Sequence, residues 1–143
     1  MRTPPQTLTN WTLTVESWTP AANIYSLTAA PTRTNTTYAL GTMSTLLPWS
    51  QLHPSLQNVS GIGFYRTTVT LAHSPSPSPS PSSGVILDLG RISHVARIRV
   101  NGHPTHPVDL HSAKLDITQG VMDGENTIDV MVASPLGNAV RRY

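Results

Sequence analysis

Along residues 11–18 the chain alternates. Trp11, Leu13 and Val15 fall on one side, and Thr12, Thr14 and Glu16 on the other. A period of two with one apolar side predicts a half-buried strand. Residues 64–71 read the same way, with Tyr65, Thr67, Val69 and Leu71 opposite Phe64, Arg66, Thr68 and Thr70. Val85, Leu87 and Leu89 share one side of a further strand. Ala96, Ile98 and Val100 face a core while Arg97 and Arg99 face out. Ile128, Val130 and Val132 close the core, with Thr127, Asp129 and Met131 outside. Leu115 to Thr118 predicts a short strand, and 136–143 a tail or last strand. No segment shows a helical period of comparable strength.

Turn chemistry separates these runs. Asn101-Gly102 is a strong two-residue hairpin signal, because both turn positions tolerate positive φ. Gly90, Asp123-Gly124 and Ser60-Gly61-Ile62-Gly63 mark further turns or a bulge. Residues 19–37 lack alternation and predict a surface excursion, with a short strand near Ile24 to Leu27. Residues 38–58 predict one helical turn or a packed loop, since Pro48 and Pro54 forbid a long helix. Ser74 to Ser83 is a Ser-Pro alternation that holds the chain extended. It joins two strands and is a loop insertion rather than a boundary. The pattern predicts one antiparallel β-sandwich domain over 1–143.

Composition narrows the function classes. Charged residues are 11% of the chain and the net charge is +2. With no basic cluster interleaved with aromatics, a nucleic-acid partner is not expected. No apolar run approaches membrane-spanning length, so no membrane role is expected either. The chain has no cysteine, which removes disulfides and thiol chemistry. Sequons stand at Asn10, Asn35 and Asn58, but the N-terminus lacks the apolar run of a secretory signal. An extracellular site is expected only as part of a secreted parent.

Five segments in order carry a family resemblance: Ser-Gly-Ile-Gly-Phe-Tyr (60–65), Leu-Asp-Leu-Gly (87–90), Ala-Arg-Ile-Arg-Val-Asn-Gly (96–102), Leu-Asp-Ile-Thr (115–118) and Gly-Glu-Asn-Thr-Ile-Asp-Val (124–130). Together they resemble the galactose-binding-like jelly-roll domain of glycoside hydrolases. Examples are the sugar-binding domain of family 2 and the C-terminal domain of family 106-like rhamnosidases and related fungal proteins. Residues 11–18 and Leu47-Pro48-Trp49 are similar to upstream segments of the same proteins. The resemblance implies an all-β jelly-roll sandwich. It also implies non-catalytic work: binding carbohydrate, or packing on a glycoside hydrolase catalytic domain. Where the family carries a Trp after the Asn-Gly hairpin, this chain reads His103-Pro104-Thr105-His106, so a stacking role for that loop is not inherited.

Candidate site residues follow. Trp18 and Trp49 border irregular segments and are the candidate stacking platforms, with Arg97 and His106 as donors to sugar hydroxyls. Trp11 and Tyr65 are placed in the core. His103, His106 and His111 fall within nine residues, a spacing that suits a metal only if the loop folds back. The acids Asp88, Asp109, Asp116, Asp123, Glu125 and Asp129 occupy outward or turn positions and read as solvated or turn-capping groups. The resemblance adds a possible structural calcium and no other cofactor. Ser60 is not in a nucleophile elbow. Two alternatives differ in class. One is a stand-alone cyclase or isomerase holding an apolar metabolite between the sheets, which needs an enclosed cavity. The other is a pure interaction module with an exposed apolar patch around Leu46 to Leu56.

Overall fold

A computed structural model describes residues 4–23, 25–41, 43, 46–72, 84–92, 95–109 and 111–134. Ile24, the Ser-Pro tract and the expected tail at 136–143 lie outside the described residues. The elements are β1 (Trp11–Thr19), β2 (Thr32–Gly41), α1 (Trp49–Leu52), a 3-10 turn (Pro54–Leu56), β3 (Gly61–Leu71), β4 (Ile86–Asp88), β5 (Ala96–Val100), β6 (His103–Pro104), β7 (Lys114–Asp116) and β8 (Gly124–Ser134). Six strands form one antiparallel sheet in the order β2-β1-β3-β8-β5-β6, and β4 pairs with β7 in a second. The fold is an all-β antiparallel sandwich.

Alternation builds its interior. Trp11, Leu13 and Val15 of β1 are buried with Tyr65 and Val69 of β3, Ile98 and Val100 of β5, and Ile128 and Val130 of β8. Leu87 and Leu115, opposite each other in the β4–β7 pair, join the same cluster with Ile117 and Val121. Burying one such side chain contributes about 1.5–3 kcal/mol. The second sheet is only two strands wide. The rest of the core is roofed by the 46–60 loop, which contributes Trp49 and Leu56.

Two stretches depart from expectation. Residues 32–41 form a long strand, although they lack alternation. β2 is the edge of the sheet, and Thr32 to Thr37 are exposed on both of its sides. Burial therefore imposes no pattern there, while threonine still suits extended backbone. Tyr25 to Leu27, expected as a short strand, form a turn instead. The Tyr25 N–H donates to Asn23 Oδ1 at 3.0 Å, and the Ser26 N–H to the Asn23 carbonyl at 3.1 Å.

Trp49 anchors the loop. Its ring lies over Gly63, where an added Cβ would come within 2.6 Å of Cζ2. Its indole N–H donates to Tyr65 Oη at 2.7 Å, and Tyr65 meets the edge of Trp11 with ring centroids 6.3 Å apart. Burial raises the Tyr65 pKa above 10.0, partly offset by the hydrogen bond from Trp49. The folded state therefore holds this proton more tightly than the unfolded chain does. Its contribution to stability is full below pH ~10 and is lost as pH rises from there through the folded pKa. Alkaline unfolding curves should show that loss, and Tyr65→Phe should flatten it.

Candidate functional site

Trp18 stands near the end of β1 on the outer face of the large sheet. Inward residues of β1 are Trp11, Leu13 and Val15, so Glu16 and Trp18 point outward together. The register sets Arg33 of β2 opposite Trp18 and Asn35 opposite Glu16. The Trp18 indole N–H donates to Glu16 Oε1. The Arg33 guanidinium lies 4.7 Å from the Trp18 ring centroid, a cation–π distance. The ring is half-buried and held from two sides. One aromatic, one carboxylate, one guanidinium and one amide thus occupy adjoining outward positions. Their chemistry suits a polyol: an apolar ring for C–H faces, with an acceptor and donors for hydroxyls beside it.

The other three expected site residues go elsewhere. Trp49, expected as a stacking platform bordering an irregular segment, is instead only 8% exposed. Gly63 leaves room for its ring, and Tyr65 takes its one donor. A buried indole with a satisfied N–H offers a sugar no face. Arg97 is on β5, three strands away from β1 in the sheet order. His106 follows β6 on an exposed loop. The structure does not bring Trp18, Arg97 and His106 together. Sequence reasoning missed Glu16, Arg33 and Asn35. The alternation of β1 showed Glu16 outward beside Trp18, but β2 carried no pattern from which to align Arg33 and Asn35.

The acids serve local structure. Asp88 accepts from the Gly90 N–H at 2.9 Å and lies 3.6 Å from Lys114 Nζ. Asp116 accepts from the Thr118 hydroxyl and backbone N–H, which lower its pKa. The His111 backbone N–H, followed by its ring, lowers the pKa of Asp109. Asp129 pairs with Arg66. Among the described residues no three His, Asp or Glu side chains gather as an ion would require.

One open cleft of about 510 Å³ lies beside the edge strand, lined by Tyr38, Met43, Leu47, Gln51, Leu52 and His53 among others. Tyr38 Oη is 2.9 Å from Ser55 Oγ, which is 2.8 Å from His53 Nδ1. The Ser55 N–H donates to that same Nδ1 at 3.2 Å, so His53 caps the 3-10 turn. Within 46–56, Leu46 and Leu47 are exposed while Trp49 and Leu56 are buried. The expected apolar patch is thus two leucines rather than the whole segment.

No family model matches the sequence. No curated protein matches it either. Among solved structures, the fold is similar to a rhamnosidase from Novosphingobium sp. PP1Y, at 22% identity and a TM-score of 0.62 over 96% of this chain. A β-D-glucuronidase from Dictyoglomus thermophilum aligns over 93% of the chain at 16% identity and a TM-score of 0.47. The chain spans 12% of the length of the rhamnosidase and 21% of that of the glucuronidase.

Proposed function

We propose that this chain is a non-catalytic accessory domain of a glycoside-hydrolase-like protein, of the galactose-binding-like jelly-roll kind, and that it binds carbohydrate through Trp18. The observation that carries the reading is the outward Trp18 ring with Glu16, Arg33 and Asn35 around it. The likeness to part of a rhamnosidase supports the setting, a small β-sandwich within a much larger hydrolase. A single half-buried ring on an open sheet face, with no enclosing pocket, implies weak binding, on the order of millimolar for a single sugar, or about −4 kcal/mol. Glu16 and Arg33 are already ordered against the ring, which lowers the entropy lost on binding.

Tryptophan fluorescence tests this directly. Trp11 and Trp49 are buried, so a ligand-dependent shift reports Trp18. Titration with rhamnose, galactose and plant cell-wall oligosaccharides should give a saturable change. Trp18→Ala should abolish binding measured by calorimetry, whereas Arg97→Ala and His106→Ala should leave it unchanged. Binding that survives Trp18→Ala, or no response to any of these sugars, would sink the reading.

A further inference from the structure

The outer face of the large sheet carries a second pattern, away from Trp18. Following the register across β3, β8 and β5, side chains stand outward in three rows. Ile62 pairs with Ala133, whose N–H donates to the Val95 carbonyl at 3.2 Å. Phe64, Met131 and Arg97 form the second row. Arg66, Asp129 and Arg99 form the third. Phe64 is 42% exposed and Val95 63%, while Ile62, Met131 and Ala133 are half-buried. Five apolar side chains thus lie side by side at the surface, a feature that marks contact sites on soluble proteins. Phenylalanine, methionine and arginine are also the residue types enriched in interfaces.

The charges beside them are uneven. Arg66 holds Asp129 with two hydrogen bonds, Nε–Oδ1 at 2.6 Å and Nη2–Oδ2 at 3.2 Å. Among the described residues neither Arg97 nor Arg99 has an ion-pair partner. On the other side of the apolar rows, β1 presents Thr12, Thr14 and Glu16, opposite Arg66, Phe64 and Ile62 of β3.

We infer that this face is a two-fold interface between two copies of the chain. The axis runs parallel to the strands, in the plane of contact, between β3 and β8. It sets each row against the same row of the partner and reverses the strand order. Phe64 then meets the partner's Met131, and Ile62 the partner's Ala133, each twice. Arg66 meets the partner's Asp129. Thr12 and Thr14 offer hydroxyl acceptors to the partner's Arg99 and Arg97, and Glu16 lies one row from that Arg97. One operation satisfies both the apolar and the charged rows, as an isologous contact requires, and this favours a second copy over an unrelated protein. The three rows across β1, β3, β8 and β5 cover roughly 20 by 19 Å, or about 400 Å² per copy, the low end for specific contacts and the size of a weak, concentration-dependent dimer. Trp18 lies outside the three rows, while Glu16 beside it stands in the first row at the border of the contact.

Sedimentation equilibrium of the 143-residue chain over a micromolar concentration series tests the inference. The expected result is a monomer–dimer equilibrium that Phe64→Asp or Met131→Glu abolishes and Trp18→Ala leaves intact. Arg66→Asp alone and Asp129→Arg alone should each be monomeric, because like charges then face each other across the axis. Mixed one to one, the two variants should dimerise, since the carboxylates of one chain then face the guanidiniums of the other. Circular dichroism and thermal melts confirm that each variant is folded. A parent chain that stays monomeric throughout overturns the inference, as when a different protein covers this face. So does a dimer that survives both Phe64→Asp and Met131→Glu, or a mixture that stays monomeric.

Discussion

Asn126→Ala lowers the stability of the folded chain by about 3–5 kcal/mol, a large part of the 5–15 kcal/mol typical of a domain. Asn126 is 0% exposed and uses its whole amide. Its Oδ1 accepts from Asn101 Nδ2 at 2.8 Å and from the Met122 N–H at 2.7 Å. Its Nδ2 donates to the Met122 and Gly124 carbonyls at 2.8 and 3.0 Å. Alanine leaves these partners short in a dry place, and each buried polar group without a partner costs about 1–3 kcal/mol. The damage extends to Asn101. That residue turns the β5–β6 hairpin at φ 52°, accepts from the Thr127 N–H and donates to the Gly120 carbonyl, both at 2.9 Å. The two asparagines thus tie the hairpin, the turn before β8 and the start of β8 into one polar clamp. Urea denaturation measures the loss as a lower midpoint at unchanged slope. A midpoint shift worth less than about 1 kcal/mol would show that water or a rearranged turn replaces the amide.

Gly61→Ala is the second large effect, about 3 kcal/mol or more. Gly61 begins β3 at φ 151°, and a Cβ there would lie 1.9 Å from the Glu16 carbonyl oxygen. That atom belongs to the backbone of β1 and cannot swing aside as a side chain would. The end of the β1–β3 pairing must open, where Ser17 faces Gly61. The Trp18 N–H bond to the Ser60 carbonyl, at 2.9 Å, goes with it. Since Trp18 is the proposed sugar platform, the variant should also weaken binding in proportion to that opening. Thermal unfolding and the sugar titration on one protein sample read both. A melting temperature within a degree or two of the parent would mean that β1 tolerates the shift.

The sequence displayed those elements whose burial is one-sided. β1, β3, β5 and β8 each bury alternate residues, so their periods were legible, and Asn101-Gly102 marked its hairpin. β2 was not legible, because an edge strand with both sides wet has no reason to alternate. The Gly61-Ile62-Gly63 signal was visible as a turn or bulge, but its two causes were not. One glycine passes the β1 backbone, and the other makes room for an indole fourteen positions upstream. Nothing local in Leu47-Pro48-Trp49 shows that Gly63 and Tyr65 will take that ring into the core. The candidate site was half legible for a similar reason. Trp18 and Glu16 share a strand, whereas Arg33 and Asn35 join them only through a register that the sequence does not write.

The uneven roof of the core has an energetic consequence. On the β4–β7 side, ladder hydrogen bonds hold the cover, and Ile117 N–H to Val85 carbonyl and Leu89 N–H to Ala113 carbonyl, each at 2.9 Å, extend it. On the other side, the backbone bonds of α1 and the 3-10 turn stay inside the loop, which is held by side chains: Trp49 and Leu56 in the core, Leu52 and Val59 against it, and the Trp49–Tyr65 and Tyr38–Ser55 hydrogen bonds. Stability in such a molecule is not uniform. The loop can lift as a separate cooperative unit, at a cost set by side-chain contacts rather than by a ladder, while the β3–β8 ladder stays closed. Its weakest point is thus a hinged shutter latched by its own indole rather than a seam in the sheet.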